Sequence, residues 1–317
     1  MGLGGVSVAS DYPEVSKDEL EKILNSLKNR FQNGDYPDYK ERIDRINRLK
    51  LLVEENSEDF HKALQNDFGT RHEQLSLLSD TLPIIASAKH VSKNLSKWMK
   101  PEKRKPNFPL GLLGAKAFIH NQPYGVVGII SPWNFPLNLS LGPLVEVFAA
   151  GNNSMMKLSE FVPETSDLTE KLVKQYFRED EVFVINGGPQ TSQSFAGLAF
   201  DHLLFTGSTH VAKKIAYEAS ENLVPLTLEL GGKSPVIVGP KAKMKKSVDK
   251  IMMGKLLNAG QICISPDYVF LPEGKENEFV EHAKSYVQES YETLKNNPDY
   301  TSIIHLNHYE RLRSYIS

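Results

Sequence analysis

Cys263 is the only cysteine among 317 residues. It has no partner for an internal disulfide and cannot join a multi-cysteine metal site, which fits a reducing cytoplasm. Its thiolate would be a strong nucleophile; a small buried apolar side chain is the plainer alternative. It stands in Asn258-Ala259-Gly260-Gln261-Ile262-Cys263, between a helix predicted to end near Gly260 and a strand predicted to start at Asp267. Glu229 closes a mostly apolar strand just before Gly231-Gly232. Burial there would raise its pKa and suit it to general-base work, while an ion pair with Lys233 is the structural alternative. Asn134, in Ser131-Pro132-Trp133-Asn134-Phe135-Pro136, follows another apolar strand. Its amide can donate to a developing oxyanion, or simply form a turn between prolines.

Phosphate-binding signals are weaker. The first strand turn lacks G-x-G-x-x-G. Phe205-Thr206-Gly207-Ser208-Thr209 follows a strand and opens a helix, where free N–H groups and the helix dipole favour an anion. Ser208 or Thr209 as an ordinary N-cap explains the same residues. Lys157 and Glu160 stand at the carboxyl end of a second strand. An acidic residue there can hold ribose hydroxyls and repel a 2′-phosphate; a solvated charged turn is the alternative.

These residues need a scaffold, and the chain supplies a regular one. Val126–Ile130, Ser154–Leu158, Glu181–Ile185, His202–Phe205 and Leu226–Leu230 are short apolar runs. Helical stretches near 138–150, 164–177 and 209–220 separate them. That alternation predicts an α/β fold with a parallel sheet covered on both faces, with ligands bound outside the strands' carboxyl ends. Four helices are expected before it. The first opens on a Ser16/Glu19 capping box and carries Leu20, Ile23, Leu24, Leu27 and Phe31 on one face. Gly34-Asp35-Tyr36-Pro37 ends it. The second carries Ile43, Ile46, Leu49 and Val53, the third runs from Ser57 to Gly69, and the fourth covers 72–99. Pro101–Pro123 is rich in Pro, Gly and Lys and, with the strand-like run Ala115–Ile119, reads as a projecting hairpin, with a surface connection as the plainer alternative. After Gly231-Gly232, strands at 235–238 and 267–271 and helices near 246–258 and 276–296 begin a further α/β unit.

The rest of the composition narrows the function. Length alone suggests about two domains of ~150 residues. Lys+Arg 37 against Asp+Glu 39 gives no electrostatic reason to expect nucleic acid. No run reaches the ~18 apolar residues of a membrane span. The Met1–Val6 start reads as a polar terminus without a secretory pattern, and Val6 stands where myristoylation wants Ser or Thr. A cytoplasmic protein is expected.

Four motifs together resemble the aldehyde dehydrogenase superfamily: Pro123-Tyr124-Gly125-Val126-Val127-Gly128 running into Pro132-Trp133-Asn134-Phe135-Pro136; Phe205–Thr209; Leu228-Glu229-Leu230-Gly231-Gly232-Lys233-Ser234-Pro235; and Gly260-Gln261-Ile262-Cys263. The N-terminal region and the 101–123 segment look closest to the coniferyl-aldehyde and fatty-aldehyde branch. The resemblance implies a Rossmann-like cofactor domain from 1–100 and 124–230, an oligomerisation hairpin at 101–123, and part of an α/β catalytic domain at 231–317. It implies oxidation of an aldehyde to an acid through a thiohemiacetal and a thioester. Cys263 would be the nucleophile, Asn134 an oxyanion donor and Glu229 the base for water. NAD is the expected cofactor, with NADP possible, and the family uses no catalytic metal. Ile130, Ser131, Pro132, Trp133, Lys157, Ser159, Glu160, Gly207, Ser208, Thr209, His210, Val211, Ala212 and Leu230 would form the dinucleotide site. A homo-oligomer is implied.

The chain departs from the pattern in three places. Leu158 replaces a common proline beside Lys157, and Ala212 a common glycine. Family chains also continue well past residue 317, supplying a later glutamate for the nicotinamide ribose and much of the aldehyde tunnel. A truncated, inactive dinucleotide-binding remnant is therefore the alternative function. Its unfinished sheet would expose strand edges and apolar surface. A hydrolase reading of Cys263 lacks a histidine nearby in sequence.

Overall fold

The computed structural model describes residues 12–32, 36–295 and 297–316. The expectations for Met1–Val6 and for Gly34-Asp35 fall outside these residues.

The chain opens with helices α1 (Lys17–Gln32), α2 (Tyr39–Glu55), α3 (Ser57–Phe68) and α4 (Glu73–Ser76), a π-helical turn at Leu77–Thr81, and α5 (Leu82–Trp98). The Ser16 hydroxyl accepts from Glu19 N at 3.3 Å, as the capping box predicts, and Leu20, Leu24 and Leu27 are buried. Gly69 ends α3 at φ +77°, a conformation glycine adopts without Cβ strain. The predicted fourth helix is not continuous. Pro83 has no N–H, and its ring crowds the carbonyl four residues back, at Ser79. The wider π turn relieves that clash and turns Asp80 and Thr81 into the interior.

A hairpin follows, β1 (Glu102–Arg104) antiparallel to β2 (Ala117–Ile119). Its connecting loop leaves Phe108, Leu112 and Leu113 exposed.

The main sheet then alternates with helices: β3 (Val126–Ile130), α6 (Asn138–Ala150), β4 (Asn153–Lys157), α7 (Pro163–Tyr176), β5 (Val182–Ile185), α8 (Pro189–Ala196), β6 (His202–Gly207), α9 (Thr209–Ser220) and β7 (Leu226–Leu230). All five strands are parallel, in the order β5-β4-β3-β6-β7. Side chains alternate between its faces as a pleated strand requires. Val127, Ile129 and Met156 pack with α2, α3, α5, α6 and α7. Val126, Ile130 and Met155 pack with α1, α8 and α9. The fold is therefore α/β and doubly wound, with a first-strand reversal between β3 and β6 that opens a crevice at their carboxyl ends. Helix α8 was not expected; short and polar, it is fastened by Glu14, which accepts from Thr191 N and Oγ1, both at 2.6 Å.

Beyond Gly231 come β8 (Ser234–Ile237), α10 (Met244–Leu256), a short turn at Leu257–Gly260, β9 (Pro266–Phe270), α11 (Glu276–Ser290) and α12 (Leu306–Arg313). Strands β8 and β9 pair in parallel over a small core of Val238, Met244 and Val248. Helix α11 ends short of the predicted residue 296. Apolar surface is exposed here, with Ile237 at 78% and Phe270 at 56%.

One buried charge cluster ties α2 to the sheet. Glu181, itself buried, accepts from Arg48 Nη1 and Nη2 at 2.9 Å each and lies 3.3 Å from buried Arg45 Nε. Burial opposes its ionisation, but the bonds from Arg48 and the Arg178 backbone and the charges of Arg48 and Arg45 win, holding it at about 2. A carboxyl depressed in the fold contributes stability above its unfolded value and loses it as pH falls through its folded value. Acid titration of the unfolding free energy should thus fall between about pH 4.5 and about pH 2. Glu181→Gln should flatten that segment, and identical slopes in both proteins would refute the assignment.

Candidate active site

Four chain segments converge at the carboxyl end of the sheet. Strand β3 delivers Ile130, then Ser131, Pro132, Trp133 and Asn134. Ser131 N bonds Lys157 O at 3.1 Å, extending the β3–β4 ladder by one residue. Strands β6 and β7 run in register, with Thr206 opposite Glu229 and Gly207 opposite Leu230. Gly207 has no room for a side chain, because a Cβ would lie 2.5 Å from Phe205 Cζ. Beyond β7, a Cβ on Gly232 would come to 3.0 Å from the Cys263 carbonyl. The backbone after Glu229 therefore lies against the cysteine loop.

That loop has an unusual hand. Asn258, Ala259 and Gly260 all have positive φ, at +50°, +54° and +74°. Two of them carry a Cβ, and such strain persists only where surroundings hold it. Asn258 is buried, and its Nδ2 donates to Asn134 O at 3.2 Å and Gln261 O at 3.3 Å. Gln261 fastens the loop further, donating to Asn258 O and Ser302 O at 3.0 Å each and accepting from Ile304 N at 3.1 Å. The Asn134 amide donates to Gln261 O at 3.0 Å. An amide carries two N–H donors, so one remains for a ligand.

A cavity of about 450 Å³ lies between these segments. Cys263, Asn134 and Glu229 all line it, with Pro132, Trp133, Gly207, Ser208 and Leu230. Cys263 is half-buried. Glu229, however, is exposed, which corrects the expectation of burial: β7 is the sheet's edge strand. Nor does Lys233 hold it, since Lys233 pairs with Asp267 at 3.1 Å.

The other predicted cofactor residues lie outside the lining of this cavity. Lys157 is buried and pairs with Glu160 at 2.9 Å, so the turn is not the solvated one offered as an alternative. Burial pulls Lys157 below the usual lysine value, and the Glu160 and Glu14 charges work the other way. Ser159 is buried and accepts from Phe161 N at 3.3 Å. Ser208 is the N-cap of α9 and accepts from Val211 N at 3.3 Å, so its plainer role is realised. Thr209, His210 and Val211 are exposed on the first turn of α9. Ala212 faces the core and can offer a ligand only its backbone.

Several residues here escaped the sequence reading. Arg71 and Asn258 hold the site from behind. His308, Arg311 and Leu312 of α12 line the cavity, and His308 meets the Trp133 ring at 5.0 Å. A histidine thus shares the cavity with Cys263, although none is near it in sequence. Burial, with Arg311 and His305 alongside, lowers the His308 pKa.

The aldehyde dehydrogenase family model matches residues 6–317. The chain belongs to that family. Among curated relatives of this aldehyde dehydrogenase chain is a probable coniferyl aldehyde dehydrogenase of Caulobacter vibrioides, 46% identical over 98% of this chain and 64% of its own length. A coniferyl aldehyde dehydrogenase of a Pseudomonas species is 42% identical over 100% of this chain and 64% of its own. The chain thus spans about 64% of the length of both relatives. Among solved structures, substrate-bound Staphylococcus aureus AldH superposes with a TM-score of 0.89 at 34% identity, over 94% of this chain and 64% of that one. A Mycobacterium tuberculosis aldehyde dehydrogenase complexed with NAD+ shares the fold, at a TM-score of 0.83 and 23% identity over 96% of this chain and 63% of that one.

Proposed function

We propose that this chain carries the nucleophile and cofactor site of an enzyme that oxidises an aldehyde to a carboxylic acid, with NAD preferred to NADP. The convergence of Cys263, Asn134 and Glu229 on one cavity at the sheet's crevice supports the reading most directly. The residues present fit a dinucleotide. The strand order reverses beside the cavity, the α9 N-terminus opens towards the same end of the sheet, and Gly207 keeps the backbone bare there. Lys157, Ser159 and Glu160 would hold the adenosine ribose, where the Glu160 charge disfavours a 2′-phosphate. Gly207, Ser208 and the first turn of α9 would hold the pyrophosphate. Ile130, Ser131, Pro132, Trp133 and Leu230 would bound the remainder. Such a cofactor supplies the hydride acceptor.

The chain's own groups do the rest. The Cys263 thiolate adds to the aldehyde carbon, and the Asn134 amide with the Cys263 backbone N–H holds the oxyanion. Loss of hydride converts the thiohemiacetal to a thioester. Glu229 then takes a proton from water, which attacks the thioester, releases the acid and restores the thiol. Its exposure on β7 suits it to meeting water. The coniferyl-named relatives and the Trp133, Leu139, Ile303 and Leu312 lining favour an aromatic aldehyde. We assign residues 1–100 and 124–230 to the cofactor domain, 231–317 to part of the catalytic domain, and the exposed hairpin at 101–123 to association between copies.

The test is transfer of deuterium from a C1-deuterated aromatic aldehyde to NAD by the purified chain. Label in the reduced nicotinamide, with the acid as co-product, is expected. Dinucleotide binding without transfer would overturn oxidation and leave a cofactor-binding remnant. Tighter binding of NADP than NAD would overturn the cofactor preference.

A further inference from the structure

Arg71 stands just past the end of α3, fully buried, with no place in the chemistry above. Its Nη1 donates to two acceptors, Asn134 O at 2.9 Å and Asn258 Oδ1 at 3.0 Å. Its Nε donates to Ser76 Oγ at 3.2 Å, and its other nitrogen pairs with buried Asp80 in the π turn. The Phe68 and Phe135 rings lie 4.5 and 5.3 Å from the guanidinium carbon, so the planar head has little freedom. One nitrogen therefore grips both the backbone that carries the proposed oxyanion donor and the side chain that anchors the left-handed cysteine loop. The Asn134 amide closes the circuit on Gln261 O, two residues before Cys263.

We propose that Arg71 is a positioning residue that sets the Asn134 amide against the Cys263 loop, so that the nucleophile and the oxyanion donor meet one carbonyl group. This rests on the reading of Cys263 as the nucleophile. A planar fork can bind the two acceptors and Asp80 together, whereas an ammonium keeps the charge but loses the fork. Arg71→Lys therefore leaves Asp80 a cation while releasing Asn134 and Asn258. Asn258→Gly tests the same link from the other end, because glycine accepts the positive φ and only the side chain is lost.

Two reactions of the sole thiol separate alignment from general damage. In acylation by p-nitrophenyl acetate, the thiolate forms a C–S bond to the carbonyl, an oxyanion appears, and nitrophenolate leaves with the C–O bonding pair. In alkylation by iodoacetamide, the thiolate displaces iodide and no oxyanion forms. In the full chain, both variants should acylate about tenfold to a hundredfold more slowly. Alkylation should stay within about threefold, since it follows thiolate character and access. Unchanged acylation in both variants would overturn the proposal, as would equal losses in the two reactions, which mark a change in the thiol or the fold instead. A parent chain that alkylates but never acylates would overturn the nucleophile reading itself, and the alignment role with it.

Discussion

Cys263→Ala should abolish hydride transfer from aldehyde to NAD, while dinucleotide affinity stays near that of the parent. The loss should exceed about ten-thousandfold, because no route remains for a covalent intermediate and residual rates come from binding alone. No other cysteine can substitute, since the sequence contains none. Asn134→Ala should behave differently. It keeps the thiol but removes one oxyanion donor, typically a loss of about a hundredfold to a thousandfold in kcat. Equal losses in the two variants would mean that Asn134 is needed to build the site rather than to stabilise charge. Stopped-flow measurement of reduced nicotinamide, beside a binding titration, reads both effects. Full activity in Cys263→Ala would remove the thiol from the mechanism.

Phe148→Ala should lower the unfolding free energy by about 3–5 kcal/mol, the usual range for a fully buried phenylalanine. Phe148 has no exposed surface. Its ring meets Phe177 at a centroid distance of 5.2 Å, and the Arg45 guanidinium carbon lies 5.7 Å from its centre. Truncation leaves a void between α6, α7 and α2 and strips an apolar neighbour from a buried cation. Urea unfolding should show a lower midpoint at unchanged slope, the sign of lost stability without a change in the denatured state. A midpoint shift worth under about 1 kcal/mol would mean that the core collapses around the gap.

The sheet was legible because its strands alternate regularly with helices, and β3 and β5 are apolar runs buried on both faces, with no polar side to confuse the period. The motif residues Cys263, Glu229 and Asn134 could be picked out, and the sheet and the loop after α10 do bring them to one cavity. Their surroundings could not be read. Glu229 looked buried because Leu228 and Leu230 flank it, yet β7 is an edge strand, and strand order is a property of the whole sheet. Lys157 is buried among apolar neighbours because it pairs with Glu160, something spacing alone leaves open. Arg71 looked like any polar residue after a helix. Its partners lie 63 and 187 residues away, and no local pattern marks them. The break in the fourth helix had one local sign, Pro83, which the apolar spacing around it masked.

Those two separations also bear on how the molecule comes into being. Contacts that bridge long stretches of chain carry a large loop-closure cost and form late. Helices α1 to α5 and the first βα units can assemble while residues near 258 are still unplaced, and Arg71 then has only part of its final company. The thiol exists from the moment of synthesis, but its register against Asn134 waits for that last closure. Reactivity towards carbonyl groups should therefore be acquired late in folding, after the sheet has formed.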